Sequence, residues 1–243
     1  MTEETLPRRR FLLGAGTAVA AGLASSGATP ADAQTTPAPA PASPTPPAAG
    51  NEPEPLLTLT AAEHAFFVAV ADTFIPADDL SPSGSEAGVA VFIDRQLASD
   101  WGGGAKMYRA GPFRKAKPEY GYQLPLTPRE FMAAGIIATN AWARKTYGKD
   151  FDRLAPKQRE EALKTIEQGK ADLPDFDSKP FFETLLGLTM EGFFSDPIYG
   201  GNRNKVGWRL VGFPGLPATY ANLIEQYRGK RYVAEPQSIV DFS

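Results

Sequence analysis

Residues 127–148, TPREFMAAGIIATNAWARKTYG, carry the clearest structural signal in the chain. Thr127 with Glu130 three residues later forms a capping box, and Pro128 takes the first helical position, where its missing N–H costs nothing. Phe131, Ile136, Ala138, Trp142 and Ala143 then recur with a helical period, and Gly148 supplies the stop. The stretch is apolar around much of its circumference, so it predicts a central helix packed on several sides. Such a helix needs other helices around it.

The flanking sequence supplies them. Thr60-Ala61-Ala62-Glu63 repeats the capping box and predicts a helix to about Phe74, with Phe66, Phe67, Val70 and Phe74 as its buried stripe and Pro76 beyond its end. Ser85 is expected to cap a second helix that turns Val89, Phe92, Ile93 and Leu97 inward. Pro156 opens another through Gln168, with Leu163 and Ile166 inside and Lys157, Arg159, Glu160, Glu161 and Lys164 in water. Ser178 is expected to cap a helix over residues 180–194, where Phe181, Phe182, Leu185, Leu186, Leu188, Thr189 and Phe193 leave few polar sides. That composition demands burial in the core or beneath a partner. A short helix is expected over 217–227, no internal repeat is visible, and no strand pattern exceeds residues 206–211. The fold class is therefore mainly α: a compact domain of five to six helices over residues 56–243, with long irregular loops.

Two stretches lack any period. Residues 101–123 read as a long exposed loop whose Tyr108, Arg109, Phe113, Arg114, Tyr120 and Tyr122 suit partner contact or plain solvation. Residues 192–215, GFFSDPIYGGNRNKVGWRLVGFPG, read as a loop with one shape, because Gly200-Gly201 tolerates positive φ while Pro197 and Pro214 fix φ near its ends. Its aromatics and arginines are the types that dominate interfaces, which points to a docking surface formed by Tyr199, Gly200, Gly201, Asn202, Arg203, Trp208, Arg209, Phe213 and Pro214. Two other readings stand beside it. In one the loop aromatics only complete the core; in the other residues 200–205, GGNRNK, cradle a phosphate with glycine amides, Arg203 and Lys205, which is disfavoured because Gly207-Trp208 does not read as the start of a helix.

This loop also carries a resemblance. The elements D-P-x-Y-G-G-N at residues 196–202 and G-W-x-x-x-G-F-P-G at residues 207–215 resemble the gluconate 2-dehydrogenase subunit 3 family, with similarity over about residues 56–227. The resemblance implies a non-catalytic small subunit of a membrane-associated dehydrogenase for gluconate, sugars or polyols. Its partners would be a large FAD flavoprotein and, in most such complexes, a multihaem cytochrome c, so FAD and haem c would reside in those subunits and the membrane would be reached only through the complex. It also implies that the small subunit binds, stabilises and co-exports the flavoprotein.

Composition agrees with a chain that holds no cofactor. The 243 residues carry a formal charge of -3 and no cysteine, which gives no bias toward nucleic acid and excludes disulfides, thiolate metal sites and covalent haem through C-x-x-C-H. No G-x-G-x-x-G or nucleophile elbow is present, His64 is the only histidine, and Asp172, Asp175 and Asp177 lack the register of a calcium loop. An alternative reading, a stand-alone periplasmic enzyme, would have to combine His64 with Ser195 or Asp196; a periplasmic ligand-binding protein is a third.

The N-terminus reads as an address. Arg8, Arg9, Phe11 and Leu12 make the R-R-x-F-L pattern of twin-arginine export, an apolar run reaches about Leu23, and Ala31-Asp32-Ala33 offers a cleavage site that defines a signal peptide of residues 1–33. Residues 34–55 are rich in Pro and Ala and read as a disordered tether reaching about 70 Å in polyproline II. The twin-arginine route moves folded proteins, so the expected location is the periplasm, peripheral to the inner membrane.

Overall fold

Both capping boxes close. Thr60 Oγ1 accepts from the Glu63 amide and Glu63 Oε2 from the Thr60 amide, at 3.3 and 2.8 Å, and the corresponding pair at Thr127 and Glu130 spans 3.2 and 2.8 Å. The computed structural model describes residues 55–114, 116–117, 120–173, 176–217 and 219–242. The expected export residues Arg8, Arg9, Phe11 and Leu12, the cleavage residues Ala31 and Ala33, and nearly all of the tether lie outside these, as does Asp175.

Among the described residues six α-helices follow in order: α1 Ala61–Phe74, α2 Val89–Ala98, α3 Pro128–Tyr147, α4 Pro156–Glu167, α5 Ser178–Phe194 and α6 Val206–Val211. The architecture is mainly α, with a single isolated parallel bridge between Gly215 and Gln237 as the β feature found there. α1, α3 and α4 begin and end where proline, capping residues and Gly148, at φ 76°, place them.

Four expectations need correction. α2 starts from Gly88, in the left-handed region at φ 84°, and not from Ser85, whose amide donates to Asp72 Oδ1 of α1 at 2.9 Å. The cap of α5 is Asp177, which accepts from the Lys179 amide; Ser178 is buried and its hydroxyl donates to the Ile166 carbonyl at 3.0 Å, tying α5 to the end of α4. Residues 206–211, the longest strand-like pattern, form α6, because six apolar-rich residues fit either period and the neighbours decide. Among the described residues of 217–227 the only helical stretch is a 3₁₀ turn, Ala221–Leu223; with Ile224 exposed, a longer helix has little apolar face to bury.

The core is aromatic. Phe66 of α1 lies between Phe151 and Phe181 of α5, at ring-centroid distances of 5.0 and 6.4 Å, and all three are fully buried. α3 approaches α5 closely at Gly135, where a Cβ would sit 2.2 Å from the Phe181 ring. The long loop before α3 is anchored by Tyr122, stacked on Phe131 at 3.9 Å, so that residue serves the core while Tyr108 and Tyr120 remain exposed. One polar feature has no sequence signature: Asp94 of α2, only 2% exposed, accepts from the amides of Leu57, Thr58 and Leu59 at 2.6, 3.0 and 2.8 Å. It holds the chain that leads into α1 against α2.

Candidate functional site

The loop after α5 is built from the inside. Ser195 ends the helix, and Asp196 turns the chain by accepting from the Ile198 amide at 3.0 Å. Gly200 has φ 94°, and a Cβ there would meet Arg95 Nη1 at 2.6 Å. At Gly201 the constraint is space, since a Cβ would lie 2.1 Å from the Gly192 carbonyl oxygen. Asn202 follows at φ 45° with no exposed surface; its Nδ2 donates to the Ser195 carbonyl and its Oδ1 accepts from the Gly207 amide, each at 2.8 Å. One side chain thus joins the end of α5 to the start of α6.

Trp208 completes the frame. It is 6% exposed, its Nε1 donates to the Phe194 carbonyl at 2.7 Å, and its ring meets Phe213 edge-on at 5.2 Å. The expected docking set therefore divides. Gly200, Gly201, Asn202 and Trp208 face inward and hold the loop, Pro214 is half-buried, and Tyr199, Arg203, Arg209 and Phe213 are exposed. The indole was read as a contact residue because an unperiodic tryptophan gives no sign of which way it points.

The chain after the loop returns to tie it. The Leu216 amide donates to the Gln237 carbonyl and the Gln237 amide to the Pro214 carbonyl, at 2.8 and 3.0 Å. Lys205 Nζ donates to the Pro236 carbonyl at 2.9 Å and to Asp241 Oδ2 at 2.7 Å, Arg209 pairs with Glu235, and the Ile239 amide donates to Asp196 Oδ2 at 2.9 Å. Hydrogen bonds from Lys205 and from the Ser238 amide hold the Asp241 carboxyl below the usual aspartate range. A carboxyl with a lowered folded pKa stabilises above its unfolded value and loses that contribution as pH falls through the folded one. Acidification through the folded pKa is thus expected to release residues 235–241, and Asp241→Asn to release them at neutral pH. Hydrogen exchange at the Gln237, Ser238 and Ile239 amides measures both; equal protection in wild type and variant would remove the carboxylate from this role.

The phosphate reading loses three of its amides and its lysine. A helix does follow Lys205, contrary to the sequence expectation, but the Gly200, Arg203 and Lys205 amides donate to Pro197, Ala87 and Asn202 carbonyls, and Lys205 Nζ is taken by the returning chain. The enzyme reading fares no better. Asp196 uses both carboxylate oxygens on backbone amides, the Ser195 hydroxyl donates to the Gly192 carbonyl, and neither side chain hydrogen-bonds His64. Asp172 pairs with Lys145 and Asp177 caps α5. Among the described residues no cluster of three His, Cys, Asp or Glu side chains is placed to hold a metal, and no helix is long and apolar enough to cross a membrane.

A groove that sequence reasoning missed opens beside the loop. Phe92 and Gln96 of α2 and Glu191 and Phe194 of α5 line it with Ser195, Asp196 and Tyr199. Glu191 is exposed as a residue, but the partial cover its carboxyl receives in the groove raises its pKa, with no cation opposing the shift. Along α5 from it, Leu186 and Met190 are exposed, and a Cβ added at Gly187 would meet nothing.

Comparison with known proteins places this arrangement. The family model described as gluconate 2-dehydrogenase subunit 3 matches residues 61–215, from the first residue of α1 to the glycine that closes the loop. No curated protein and no solved structure matches the chain. Because the match spans all six helices and the loop they carry, the chain belongs to the gluconate 2-dehydrogenase subunit 3 family.

Proposed function

We propose that this chain is the non-catalytic small subunit of an FAD-dependent dehydrogenase acting on gluconate or a related sugar or polyol. It binds and stabilises the large flavoprotein subunit and carries it to the periplasm on a shared twin-arginine signal; a multihaem cytochrome c is the third subunit and the route to the membrane. The observation that carries this reading is the loop itself. Its interior is fixed by Asn202, Trp208 and the returning chain, while Tyr199 and Phe213 stay exposed at 51% and 46%. Large aromatic side chains held rigid in water lose little entropy on docking and gain much area, which favours a protein partner.

The test is recovery of the tagged chain from its own cells. A flavin-containing dehydrogenase is expected to copurify from the periplasm, and replacing Arg8 and Arg9 by lysine is expected to leave both proteins in the cytoplasm, reducing periplasmic dehydrogenase activity at least ten-fold. Wild-type chain recovered without flavin, or flavoprotein exported normally beside the double variant, would defeat the stabilising role or the shared export respectively.

A further inference from the structure

The composition of α5 demands cover in the core or beneath a partner, and Leu186 and Met190 are the apolar residues along it that the core leaves exposed, one turn apart. Between them Gly187 leaves room for another backbone to approach. The strip runs into the groove floored by Phe92 and Phe194 and walled by Tyr199. The groove's ionisable lining is acidic. Asp196 has given both oxygens to backbone amides, whereas Glu191 makes no hydrogen bond or ion pair with any described residue, and no Lys or Arg lines the groove.

The Glu191 carboxylate is exposed at the edge of this apolar lining with no counter-charge in the groove, so a partner that covers it must either supply a cation or bear the cost of dehydrating an unpaired charge. The same rings favour a guanidinium or ammonium, because their faces are electronegative. We propose that this face of α5 seats an apolar segment of the flavoprotein subunit, which inserts an arginine or lysine into the groove against Glu191. The inference rests on the subunit reading above and adds the chemistry of the contact: apolar side chains along Leu186, Gly187 and Met190, then a cation at the Glu191 end. Charge complementarity selects this occupant, since a purely apolar partner would leave the carboxylate dehydrated and unpaired.

The experiment compares tagged wild type, Glu191→Lys, Glu191→Gln and Glu183→Lys, each recovered from native cells with bound flavin as the readout. Glu183 lies on the same helix, is exposed and is absent from the groove, so its variant matches the charge change without touching the site. Glu191→Lys is expected to lower copurified flavoprotein at least ten-fold, Glu191→Gln several-fold, and Glu183→Lys not at all, with unchanged thermal unfolding of the isolated chains. Equal capture by wild type and Glu191→Lys overturns the inference and leaves the subunit reading standing. Capture by neither overturns both. A wild-type self-dimer that Glu191→Lys dissolves assigns the face to a second copy and overturns the inference as well, as does loss of capture by Glu183→Lys to the same extent.

Discussion

Asn202→Ala lowers the unfolding free energy by about 4 kcal/mol. The side chain is fully buried and bridges the Ser195 carbonyl to the Gly207 amide. Removing it strands a part-buried acceptor and a buried donor, at about 1–3 kcal/mol each. Alanine also inherits φ 45°, a left-handed angle that costs it about 1–2 kcal/mol and that asparagine offsets through its side-chain amide. Asn202→Gly separates the two contributions: it removes the bridge and keeps the angle, so it should be less damaging than alanine by about 1 kcal/mol. Urea unfolding of the three proteins gives both differences. A loss below about 1 kcal/mol for alanine would mean that the bridge does not hold the loop.

Asp94→Ala is expected to cost about 3 kcal/mol. The three amides it accepts belong to consecutive residues, Leu57 to Leu59, and the carboxylate is 2% exposed. Leu57 is 63% exposed and its amide can turn to water, whereas Leu59 is buried and its amide cannot without moving the chain ahead of α1. Hydrogen exchange should therefore accelerate at residues 57–59 well beyond the change at the centre of α3. Asp94→Asn retains one acceptor and should lie between wild type and alanine. Equal stability of all three proteins would contradict the assignment of Asp94 as the anchor of this segment.

The features read correctly from sequence are those whose causes lie within a few residues. Thr60 with Glu63, Thr127 with Glu130, and Pro156 each fix a helix start through contacts inside a single turn, and Gly148 stops α3 by its own φ. The start of α2 was misplaced because its position depends on space: a Cβ at Gly88 would lie 2.4 Å from the Gly200 carbonyl, more than a hundred residues away in the chain. The tail was opaque for the same reason. Glu235, Gln237 and Asp241 show no period, and only the partners Arg209, Pro214 and Lys205 reveal what they do. Within the loop, residue type marked the place but not the direction, so Trp208 and Asn202 could not be told apart from Tyr199 and Phe213. Glu191 gave no signal at all, because Phe92 and Tyr199 reach it only through the fold. The one hint was a helix with too many apolar sides, and that excess is what Leu186 and Met190 display.

The ion pair between Lys205 and Asp241 closes across 36 residues. At an elongation rate of about 5–20 residues per second, Asp241 is synthesised about 2–7 s after Lys205, and for that interval the ribosome offers a loop whose last fastenings have yet to be translated. The exposed Tyr199 and Phe213 are consequently given their final setting only after residue 241 has been added, late in the synthesis of this segment.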